Sequence, residues 1–518
     1  MTGPSAHGPA QAAPTRRPRI GVLVVAYNAA GTLARVLDRI PANFRERIAG
    51  ILVSDDNSAD ATYLVGLGYQ RFDPSLPLEV VRNSRNLGYG GNQKVGYRWA
   101  IERGMDIIVM LHGDGQYAPE KLPDVVAPLE RGEADAVFGS RMLETGAALR
   151  GGMPLYKFFG NKLLTRLENR MVGTNLSEWH SGYRAYSVAA LRELPFERND
   201  DDFNFDTQII IQLAEAGKRI VEVPIPTFYG DEICYVNGLR YAQLITRDVL
   251  RYRAHKMGFG TGELAFASDD YEAKGSPASS HRRILHWLAV RPPGRVLDLG
   301  CGNGHLAAEL RAAGHHVVGV DAAAAPGVKD AVDQFVQADL DLGLPPEVEG
   351  PFDAVICADV LEHLRRPELV LDELHRLVAP SGVVVVSVPN FAHWYPRLRV
   401  VAGRFDYDRR GILDRTHVRF FTRRSFERLV GERGWVITRR SHTGTPVEVT
   451  ERGAAHRPAG GADGALRRWA LRADAAAVRA RPTLFAYQFL YELVTAQRTP
   501  VASRQSWGSY ATGFASPA

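Results

Sequence analysis

Residues 107–117, IIVMLHGDGQY, form an apolar run that ends in polar residues and glycine. The apolar part is typical of a buried strand. Asp114 and Gln116 follow at its end, and Gly113 and Gly115 flank the carboxylate. Asp-Gly steps form turns, which is the simple interpretation of this segment. The second interpretation is a ligand site, because glycine lets the backbone approach a ligand closely.

The surrounding sequence predicts that this strand belongs to a parallel sheet. Further strand patterns occur in residues 19–33, 50–56, 78–83 and 134–141, with helical stretches between them. Continuous apolar strands that alternate with helices are typical of a parallel sheet covered on both faces. Ligands bind beyond the carboxyl ends of such strands.

Two more strand ends carry polar residues at the expected ligand edge. Tyr27 and Asn28 follow the first strand, and Asp55 and Asp56 close the second. Mg²⁺ commonly takes one or two protein carboxylates and completes its shell with phosphate oxygens and water. Asp114 with the Gln116 amide is therefore a sufficient set of ligands when a diphosphate supplies more oxygens. Three such strand ends favour the ligand site over the turn.

A second α/β region begins at residues 294–306, GRVLDLGCGNGHL. Strand patterns continue at 316–322, 353–364 and 382–390. The glycine spacing is D-x-G-x-G-x-G, and His305 stands where a dinucleotide-binding motif requires its third glycine. The fold class is thus α/β, with two Rossmann-like domains.

The pattern along the chain predicts five segments. We expect a disordered tail at 1–18, a first domain at 19–257, a linker at 258–280, a second domain at 281–440 and a C-terminal extension at 441–518. Within the extension we expect a loop followed by an Ala/Arg-rich helix at 457–482, and a final helix at 484–494, LFAYQFLYELV. It either completes the second domain or forms a docking segment.

Composition restricts the class of protein. The chain has 518 residues, a net charge of +5 and a pI of about 9.0, which is too weakly basic to indicate nucleic-acid binding. Cys234, Cys301 and Cys357 are too few for a zinc cluster or a disulfide framework. A reducing cytoplasm is the expected location. We see no apolar run of the roughly 18 residues that span a bilayer, so any membrane contact is expected to be peripheral.

The first region resembles family 2 glycosyltransferases of GT-A fold, above all the dolichol-phosphate mannosyltransferase branch. The segments that carry the resemblance lie within residues 19–255 and are AYNAAGTL, VSDDNSAD, NLGYGGNQKVGY, LHGDGQYAPE, GSR, SGYRAYS and NFDTQ. The resemblance implies a nucleotide-sugar donor bound by Tyr27, Asn28, Asp55, Asp56 and Asp114. It implies that Asp114 and Gln116 bind Mg²⁺ or Mn²⁺.

The same resemblance assigns the phosphate and acceptor side. Arg141 and Lys157 would meet the acceptor or donor phosphate, and Ser181, Gly182 and Arg184 would lie on the acceptor-side wall. The chain departs from the family at Val25, Ala29 and His112, where proline, glutamate and an acidic residue are usual. His112 is either a neutral residue behind the metal site or an additional ligand.

The nature of the acceptor decides whether a general base is needed. A sugar hydroxyl needs a base, and Asp206 in NFDTQ is the candidate; its alternative role is an acidic residue at a helix N-terminus. A lipid phosphate is already ionised and needs no base. Both acceptors remain open from the sequence. The segment 237–258 mixes apolar and basic residues and predicts a helix that lies on an anionic bilayer or packs on its own domain.

The second region resembles class I S-adenosylmethionine-dependent methyltransferases over residues 280–440. VLDLGCGNG, VVGVDA, QADL and DAVICADVLEHL carry the resemblance. It implies that the following residues bind S-adenosylmethionine: Asp298 at the amino group, Gly300, Gly302 and Gly304 at the methionine moiety, Asp321 at the ribose and Asp339 at the adenine. Cys301 and Cys357 are then small residues at strand ends and not nucleophiles.

The methyl acceptor is expected to be an oxygen of a glycan or small molecule. The Asn/Asp-Pro-Pro-aromatic motif of DNA adenine methyltransferases is missing from ADVLEHL. His363 and His417 are candidate bases for a hydroxyl proton, and the alternative for His363 is a residue that shapes the pocket. Methyl transfer gains mainly from proximity and alignment.

The sequence thus indicates a bifunctional enzyme, a glycosyltransferase followed by a methyltransferase, in the biosynthesis of a bacterial-type surface glycan or glycolipid. One alternative is a polyprenyl-phosphate sugar synthase fused to an independently acting methyltransferase. The other is a binding or scaffold protein in which one domain is inactive. The residues Asp114, Gln116, Gly300, Gly302 and Asp321 argue against the last alternative.

Overall fold

The computed structural model describes residues 16–227, 237–260, 279–445 and 462–496. These residues divide into two compact units, of which the first ends at Lys256 and the second begins at Met257. Each unit contains one seven-stranded sheet. Most of the predicted linker and most of the predicted N-terminal tail lie outside the described residues.

In the first unit, strands and helices alternate along the chain. The strands are β1 Ile20–Ala26, β2 Ile48–Asp55, β3 Leu78–Arg82, β4 Ile107–His112, β5 Ala136–Ser140, β6 Arg184–Ser187 and β7 Ile220–Pro224. The helices are α1 Leu33–Asp38, α2 Ala42–Arg45, α3 Thr62–Phe72, α4 Gly88–Glu102, α5 Leu122–Glu130, α6 Ala147–Arg150, α7 Leu155–Val172, α8 Val188–Glu193, α9 Phe205–Glu215 and α10 Gly238–Lys256. Short 3-10 turns occur at Pro119–Lys121 and Phe196–Arg198.

The first sheet has the strand order β3-β2-β1-β4-β6-β5-β7. The five strands predicted in this region are confirmed, but the sheet is mixed and not parallel throughout. Strand β6 runs antiparallel to both β4 and β5. It is only four residues long and belongs to the segment SGYRAYS, whose polar residues concealed a strand pattern.

Buried apolar residues cover both faces of the first sheet. All seven residues of β1 are buried, and alternate ones join different clusters. Val22 and Val24 pack in one cluster, whereas Leu23 and Val25 pack in the other. This alternation follows from the two-residue period of a strand and shows why β1 lacks a polar face.

The second unit has the same alternation at first and an antiparallel end. Its strands are β8 Arg295–Leu299, β9 His316–Asp321, β10 Gln334–Gln337, β11 Phe352–Ala358, β12 Val378–Pro389, β13 Trp435–Thr443 and β14 Gln488–Thr495. Its helices are α11 Ser280–Leu288, α12 His305–Ala312, α13 Val328–Ala331, α14 Pro367–Leu377, α15 Trp394–Val401, α16 Arg423–Glu432, α17 Ala462–Ala480 and α18 Pro482–Phe485, with a 3-10 turn at Leu340–Leu342.

The second sheet has the order β10-β9-β8-β11-β12-β14-β13. The expected Ala/Arg-rich helix is confirmed as α17. The expected helix at 484–494 is wrong, because β14 occupies most of this segment and pairs antiparallel with β12 and β13. Phe489, Tyr491 and Leu493 all pack in one buried cluster, which is the two-residue spacing of a strand.

Close packing of α4 against β1 gives a test of the first unit. A Cβ at Gly96 would lie 2.7 Å from Leu23 Cγ, so Gly96→Ala overpacks this contact. We expect a loss of about 1–3 kcal/mol in the free energy of unfolding. The control is Gly68→Ala in α3, where a Cβ meets nothing within 4 Å. There the helix preference of alanine is expected to add about 0.5–1 kcal/mol.

The measurement is urea unfolding of the full chain with pulse proteolysis, in which peptides of the first unit are quantified. Equal midpoints for the two variants would contradict the proposed contact between the helix and the strand.

Candidate functional site

A large cleft lies at the carboxyl ends of the central strands of the first sheet. In the parallel register Ala26 pairs with Asp55 and Val25 pairs with His112, so the chain leaves β1, β2 and β4 at one edge. The cleft has a volume of about 1290 Å³. The predicted site residues that line it are Tyr27, Asn28, Asp56, Asp114, Gln116, Arg141, Lys157, Gly182 and Asp206.

The two aspartates after β2 have different environments. Asp55 is completely buried, and its Oδ2 lies 3.6 Å from Arg82 Nε. Asp56 lines the cleft and accepts hydrogen bonds from the backbone N–H groups of Leu87, at 2.8 Å, and Gly88, at 3.0 Å. The structure therefore places Asp56 at the cleft surface and Asp55, which was also expected to bind the donor, behind it.

The residues after β1 form an open wall of the same cleft. Tyr27 is 41% exposed and lines the cleft. Asn28 has a positive φ of 50°, and its side-chain oxygen accepts a hydrogen bond from the N–H of Ala59 at 3.0 Å. The backbone N–H of Asn28 in turn donates to Ser58 Oγ. These bonds connect the loop after β1 to the loop after β2.

The loop after β4 presents Asp114 in a tight turn. Its Oδ1 accepts a hydrogen bond from the N–H of Gln116 at 3.0 Å, and Gly115 has a φ of 80° that favours glycine. Within the described part of the chain, Asp114 forms no ion pair. The carboxylate is half-buried and lines the cleft, as a cation ligand requires.

His112 stands next to this loop and also lines the cleft. Its Nε2 lies 3.5 Å from the hydroxyl of Tyr89, and a Cβ at Gly182 would come within 2.6 Å of the same nitrogen. Burial lowers the pKa of His112 and outweighs the opposing charge of Asp114. The low pKa favours the neutral imidazole.

Arg141 lines the cleft, and the buried carboxylate of Glu178 balances its charge. Its Nε donates to Glu178 Oε1 at 3.0 Å, and its backbone N–H donates to Glu178 Oε2 at 2.8 Å. Burial alone raises the pKa of Glu178, but the ion pair with Arg141 outweighs it and holds this pKa below its usual value. Glu178 orients Arg141, and the sequence analysis did not identify it. Its position three residues before Ser181, in a segment already assigned to the acceptor side, could have indicated a role at the site.

Asp206 lies in the first turn of α9, where the cleft meets a buried polar network. Its carboxylate accepts hydrogen bonds from Tyr89 Oη and Gln93 Nε2, both at 3.1 Å, and Arg184 Nη2 lies 3.4 Å away. Asp206 is thus both the expected helix N-terminal acid and a member of an ion pair. A role as general base requires that it exchange one of these partners for a substrate hydroxyl.

Two predicted wall residues lie behind the cleft surface. Arg184 is 1% exposed, and its guanidinium donates to the backbone carbonyls of Ser181, Trp179 and Asp206. Ser181 is buried as well. They support the wall, whereas the neighbouring Gly182 forms part of its surface.

The second unit has a glycine-rich loop after β8. Gly300, Gly302 and Gly304 all have positive φ, and the N–H of Gly302 donates to Asp321 Oδ2 at 2.8 Å. This bond joins the loop to the end of β9. Burial raises the pKa of the Cys301 thiol to about 12, so this cysteine is a small buried residue and not a nucleophile.

Asp298 is the buried carboxyl beneath this loop. It is 2% exposed, and its Oδ2 has no hydrogen-bond partner among the described residues. Burial, followed by the nearby charge of Asp321, raises the pKa of Asp298 to about 7. An unpartnered buried carboxylate oxygen fits an ammonium group of a ligand. Asp339, by contrast, is exposed on the loop after β10 and accepts a hydrogen bond from the N–H of Asp341.

The loop after β11 brings both candidate histidines together. The rings of His363 and His417 are 4.8 Å apart. Burial, and then the neighbouring His363, lowers the pKa of His417. Glu362, beside His363, is 1% exposed and was missed by sequence reasoning, although the Glu-His pair after a strand was the visible signal.

Comparisons with known proteins identify a family for each unit. The family profile described as Glycosyl transferase family 2 matches residues 21–195, and the profile described as Methyltransferase domain matches residues 272–439. Undecaprenyl-phosphate mannosyltransferase of Micrococcus luteus is 33% identical over 205 residues, which are 39% of this chain and 78% of that protein.

A relative of the second unit is Ubiquinone biosynthesis O-methyltransferase of Maricaulis maris. It is 36% identical over 104 residues, which are 18% of this chain and 41% of that protein. The chain therefore matches less than half the length of this relative. Among solved structures, glucosyl-3-phosphoglycerate synthase of Mycobacterium tuberculosis with Mn²⁺ and UDP is similar at 18% identity and a TM-score of 0.32, covering 46% of this chain and 79% of that one.

The first unit therefore has the fold of a GT-A glycosyltransferase, and the second has the fold of a class I methyltransferase. The chain belongs to glycosyl transferase family 2 and carries a methyltransferase domain after its glycosyltransferase domain.

The raised pKa of Asp298 predicts how cofactor affinity depends on pH. In this assignment the ammonium of S-adenosylhomocysteine would bind the ionised carboxyl, and this form is lost as pH falls through about 7. We expect affinity to fall about tenfold from pH 8 to pH 6, the ratio of ionised fractions for such a group. Calorimetric titration of the full chain measures it.

Asp298→Asn serves as the comparison because an amide does not titrate. Its affinity is expected to be lower and nearly independent of pH. A wild-type affinity that does not change over this range would refute the assignment of Asp298 to the amino group.

Proposed function

We propose that the first unit transfers a sugar from a nucleotide-sugar donor to a lipid phosphate, with Mg²⁺ or Mn²⁺ as the cation. The observation that carries this proposal is the single cleft at the ends of β1, β2 and β4. Tyr27, Asn28 and Asp56 would hold the nucleoside there. Asp114 and Gln116 would hold the cation on the diphosphate. The name of the Micrococcus luteus relative supports a polyprenyl-phosphate acceptor.

The environment of Asp206 favours a phosphate acceptor over a sugar hydroxyl. Its carboxylate already binds Tyr89, Gln93 and Arg184, so removal of an acceptor proton would compete with this network. A phosphate monoester is already ionised near neutral pH and attacks the anomeric carbon without a base. The leaving diphosphate then needs positive charge, which the cation supplies. Lys157, on α7, also lines the cleft and would add positive charge beside the diphosphate.

Arg141 has a more limited part in this proposal than its charge suggests. Because Glu178 neutralises it, Arg141 would act as an oriented hydrogen-bond donor to a phosphate more than as a source of net charge. The ion pair holds the guanidinium in place before a ligand binds, which reduces the entropic cost of its contact with phosphate.

We infer that the second unit transfers the methyl group of S-adenosylmethionine to a hydroxyl of a glycan or small molecule. Asp298 would hold the amino group, and the loop of Gly300 and Gly302 would contact the methionine moiety. Asp321 would bind the ribose hydroxyls, and Asp339 would reach the adenine. His363 lies after β11, where an acceptor hydroxyl would meet the methyl group. The O-methyltransferase name of the Maricaulis maris relative supports an oxygen acceptor.

The presence of both domains on one chain supports a shared pathway. We propose the biosynthesis of a surface glycan or glycolipid, in which one unit adds a sugar and the other methylates a hydroxyl of the product or of a related molecule.

We also propose that the first unit works at an anionic membrane surface. Within the described ranges, no helix has the length and apolarity to cross a bilayer. The apolar side chains Ile245 and Val249 of α10 are buried in the unit, so this part of the helix is not available to lipid. Helix α7 instead exposes Leu155, Phe159 and Leu163.

The apolar stripe on α7 is the best candidate for contact with lipid. Leu155, Tyr156, Phe159 and Leu163 are between 63% and 74% exposed. Positions 155, 159 and 163 are four residues apart and share one face of the helix. The same helix carries the exposed basic residues Lys162, Arg166 and Arg170. Tyr156 and Lys157 also line the cleft, so a lipid headgroup at this stripe would be close to the cleft mouth.

The proposed transfer reaction is tested with Asp114→Asn. With Mg²⁺ or Mn²⁺, a panel of nucleotide sugars and polyprenyl phosphate, we expect transfer to fall at least about a hundredfold, because a cation ligand is lost. Mass spectrometry of the lipid product is the measurement. Binding of S-adenosylhomocysteine should not change.

The matched control is Asp124→Asn, an exposed carboxylate on α5 that pairs with Lys121 outside the cleft. It should retain wild-type transfer. Slow sugar-nucleotide hydrolysis with no lipid product from the wild type would count against the phosphate acceptor and in favour of a glycan hydroxyl, with Asp206 as the base.

The membrane proposal is tested by replacing Leu155, Phe159 and Leu163 together with serine. Flotation of the full chain with vesicles containing phosphatidylglycerol should show at least about tenfold weaker binding, because apolar area at the interface is lost. The control replaces Leu64 and Phe72, which are exposed on α3, with serine. Equal loss in both variants would show that this stripe is not the docking surface.

A further inference from the structure

Three side chains in the second unit converge just beyond the end of β11. Glu362 and His363 follow β11, and His417 lies in the segment before α16. One possible ligand atom from each of the three lies within 4.8 Å of the others. Glu362 and His417 are buried, and His363 is exposed, so the group opens to solvent on one side.

The backbone joins the two segments that carry these side chains. The N–H groups of Val418 and Arg419 both donate to the carbonyl oxygen of Glu362, at 3.0 and 2.9 Å. Neither segment can shift alone without breaking these bonds. The three side chains are thus held together before any ligand arrives, as a preformed site requires.

Both histidines have one ring nitrogen occupied by a backbone carbonyl. Nδ1 of His363 lies 3.2 Å from the carbonyl oxygen of Thr416, and Nδ1 of His417 lies 3.2 Å from that of Ile412. A carbonyl only accepts, so each Nδ1 carries the proton and each Nε2 keeps its lone pair. This is the arrangement by which proteins fix the tautomer of metal-binding histidines.

We propose that Glu362, His363 and His417 bind a first-row divalent cation of the Mn²⁺, Co²⁺ and Zn²⁺ group. Two imidazole nitrogens and one carboxylate suit these ions better than Mg²⁺, which takes oxygen ligands. Three protein ligands leave coordination positions open, as in catalytic metal sites. This cation is separate from the one proposed at Asp114.

The position of the site connects it with methyl transfer. Val360, two residues before Glu362, packs closely on the glycine-rich loop after β8. A Cβ at Gly300 in that loop would lie 2.6 Å from Val360 Cγ2. Asp359, which starts the loop after β11, accepts hydrogen bonds from Ser387 Oγ at 2.7 Å and Gln488 Nε2 at 2.9 Å. The proposed metal therefore lies next to the place expected for S-adenosylmethionine.

The role of the cation rests on the proposed transfer to a hydroxyl. An acceptor hydroxyl in an open coordination position is more acidic than in water and loses its proton to solvent. Its oxygen forms the new bond to the methyl carbon while the carbon–sulfur bond breaks, and the bond's electron pair stays on sulfur. His363 is then a metal ligand and not the base that removes the proton.

The test uses the chelated and dialysed full chain, with Co²⁺ as the probe and no nucleotide sugar present. Visible absorption reports ligation by imidazole and carboxylate. We expect one equivalent of Co²⁺ to bind to the wild type, to His286→Ala and to Asp114→Asn. His286 is an exposed histidine on α11 of the same unit and serves as the matched control.

Glu362→Gln and His417→Ala are expected to weaken Co²⁺ binding at least about tenfold, because each loses a ligand. Their affinity for S-adenosylhomocysteine should stay at the wild-type value, which shows that the unit is folded. An unchanged visible band in both variants overturns the proposal. The proposal is also overturned if Asp114→Asn loses the visible band while Glu362→Gln and His417→Ala keep it. That result would place the ion in the first unit.

A catechol serves as a probe acceptor and separates this inference from the proposed function. Methylation of the catechol that stops on chelation and returns with Co²⁺ supports the catalytic role. Equal rates with and without the ion overturn that role. If Co²⁺ binds as expected and the catechol is not methylated, the hydroxyl acceptor fails and the metal site stands.

Discussion

The parallel pairing of β1 with β2 and β4 is the constraint on which the candidate site of the first unit depends. Parallel strands end at one edge, so residues far apart in sequence leave the sheet side by side. Ala26 opposite Asp55 and Val25 opposite His112 fix this register. A shift of one residue in a strand would turn its side chains to the other face of the sheet. The side chains of β1, which pack alternately in the two buried clusters, thus hold the cleft residues in place.

Charge in the cleft is mostly balanced within the protein before a ligand binds. Arg141 pairs with Glu178, and Arg184 pairs with Asp206, each through a buried carboxylate. Asp114 and Asp56 have no cationic side chain paired with them among the described residues. The cleft therefore presents anionic groups where a cation is proposed, and oriented donors where a phosphate is proposed. A bare anion would bind poorly there without a metal.

The sequence predicted the features that local pattern determines. The apolar strands with polar ends, the glycine loop after β8 and the helix at 237–258 were all visible as runs or spacings. Pairings across the fold were not visible. Glu178 behind Arg141, the burial of Arg184 and the convergence of Glu362 with His417 depend on which segments become neighbours. Strand β14 was mistaken for a helix because its apolar run is short, and periodicity does not separate strand from helix at that length.

The position of β14 has a consequence for synthesis of the chain. Every strand of the first sheet is present once residue 224 has left the ribosome, so this sheet has all its strands early. The second sheet lacks its link between β12 and β13 until residue 495 is available. Domains fold as units and in order during translation. Until then β12, whose valines are buried in the finished fold, has one unpaired edge. Because an unpaired strand edge promotes aggregation, we expect the methyltransferase unit to be more prone to aggregation during synthesis than the first unit.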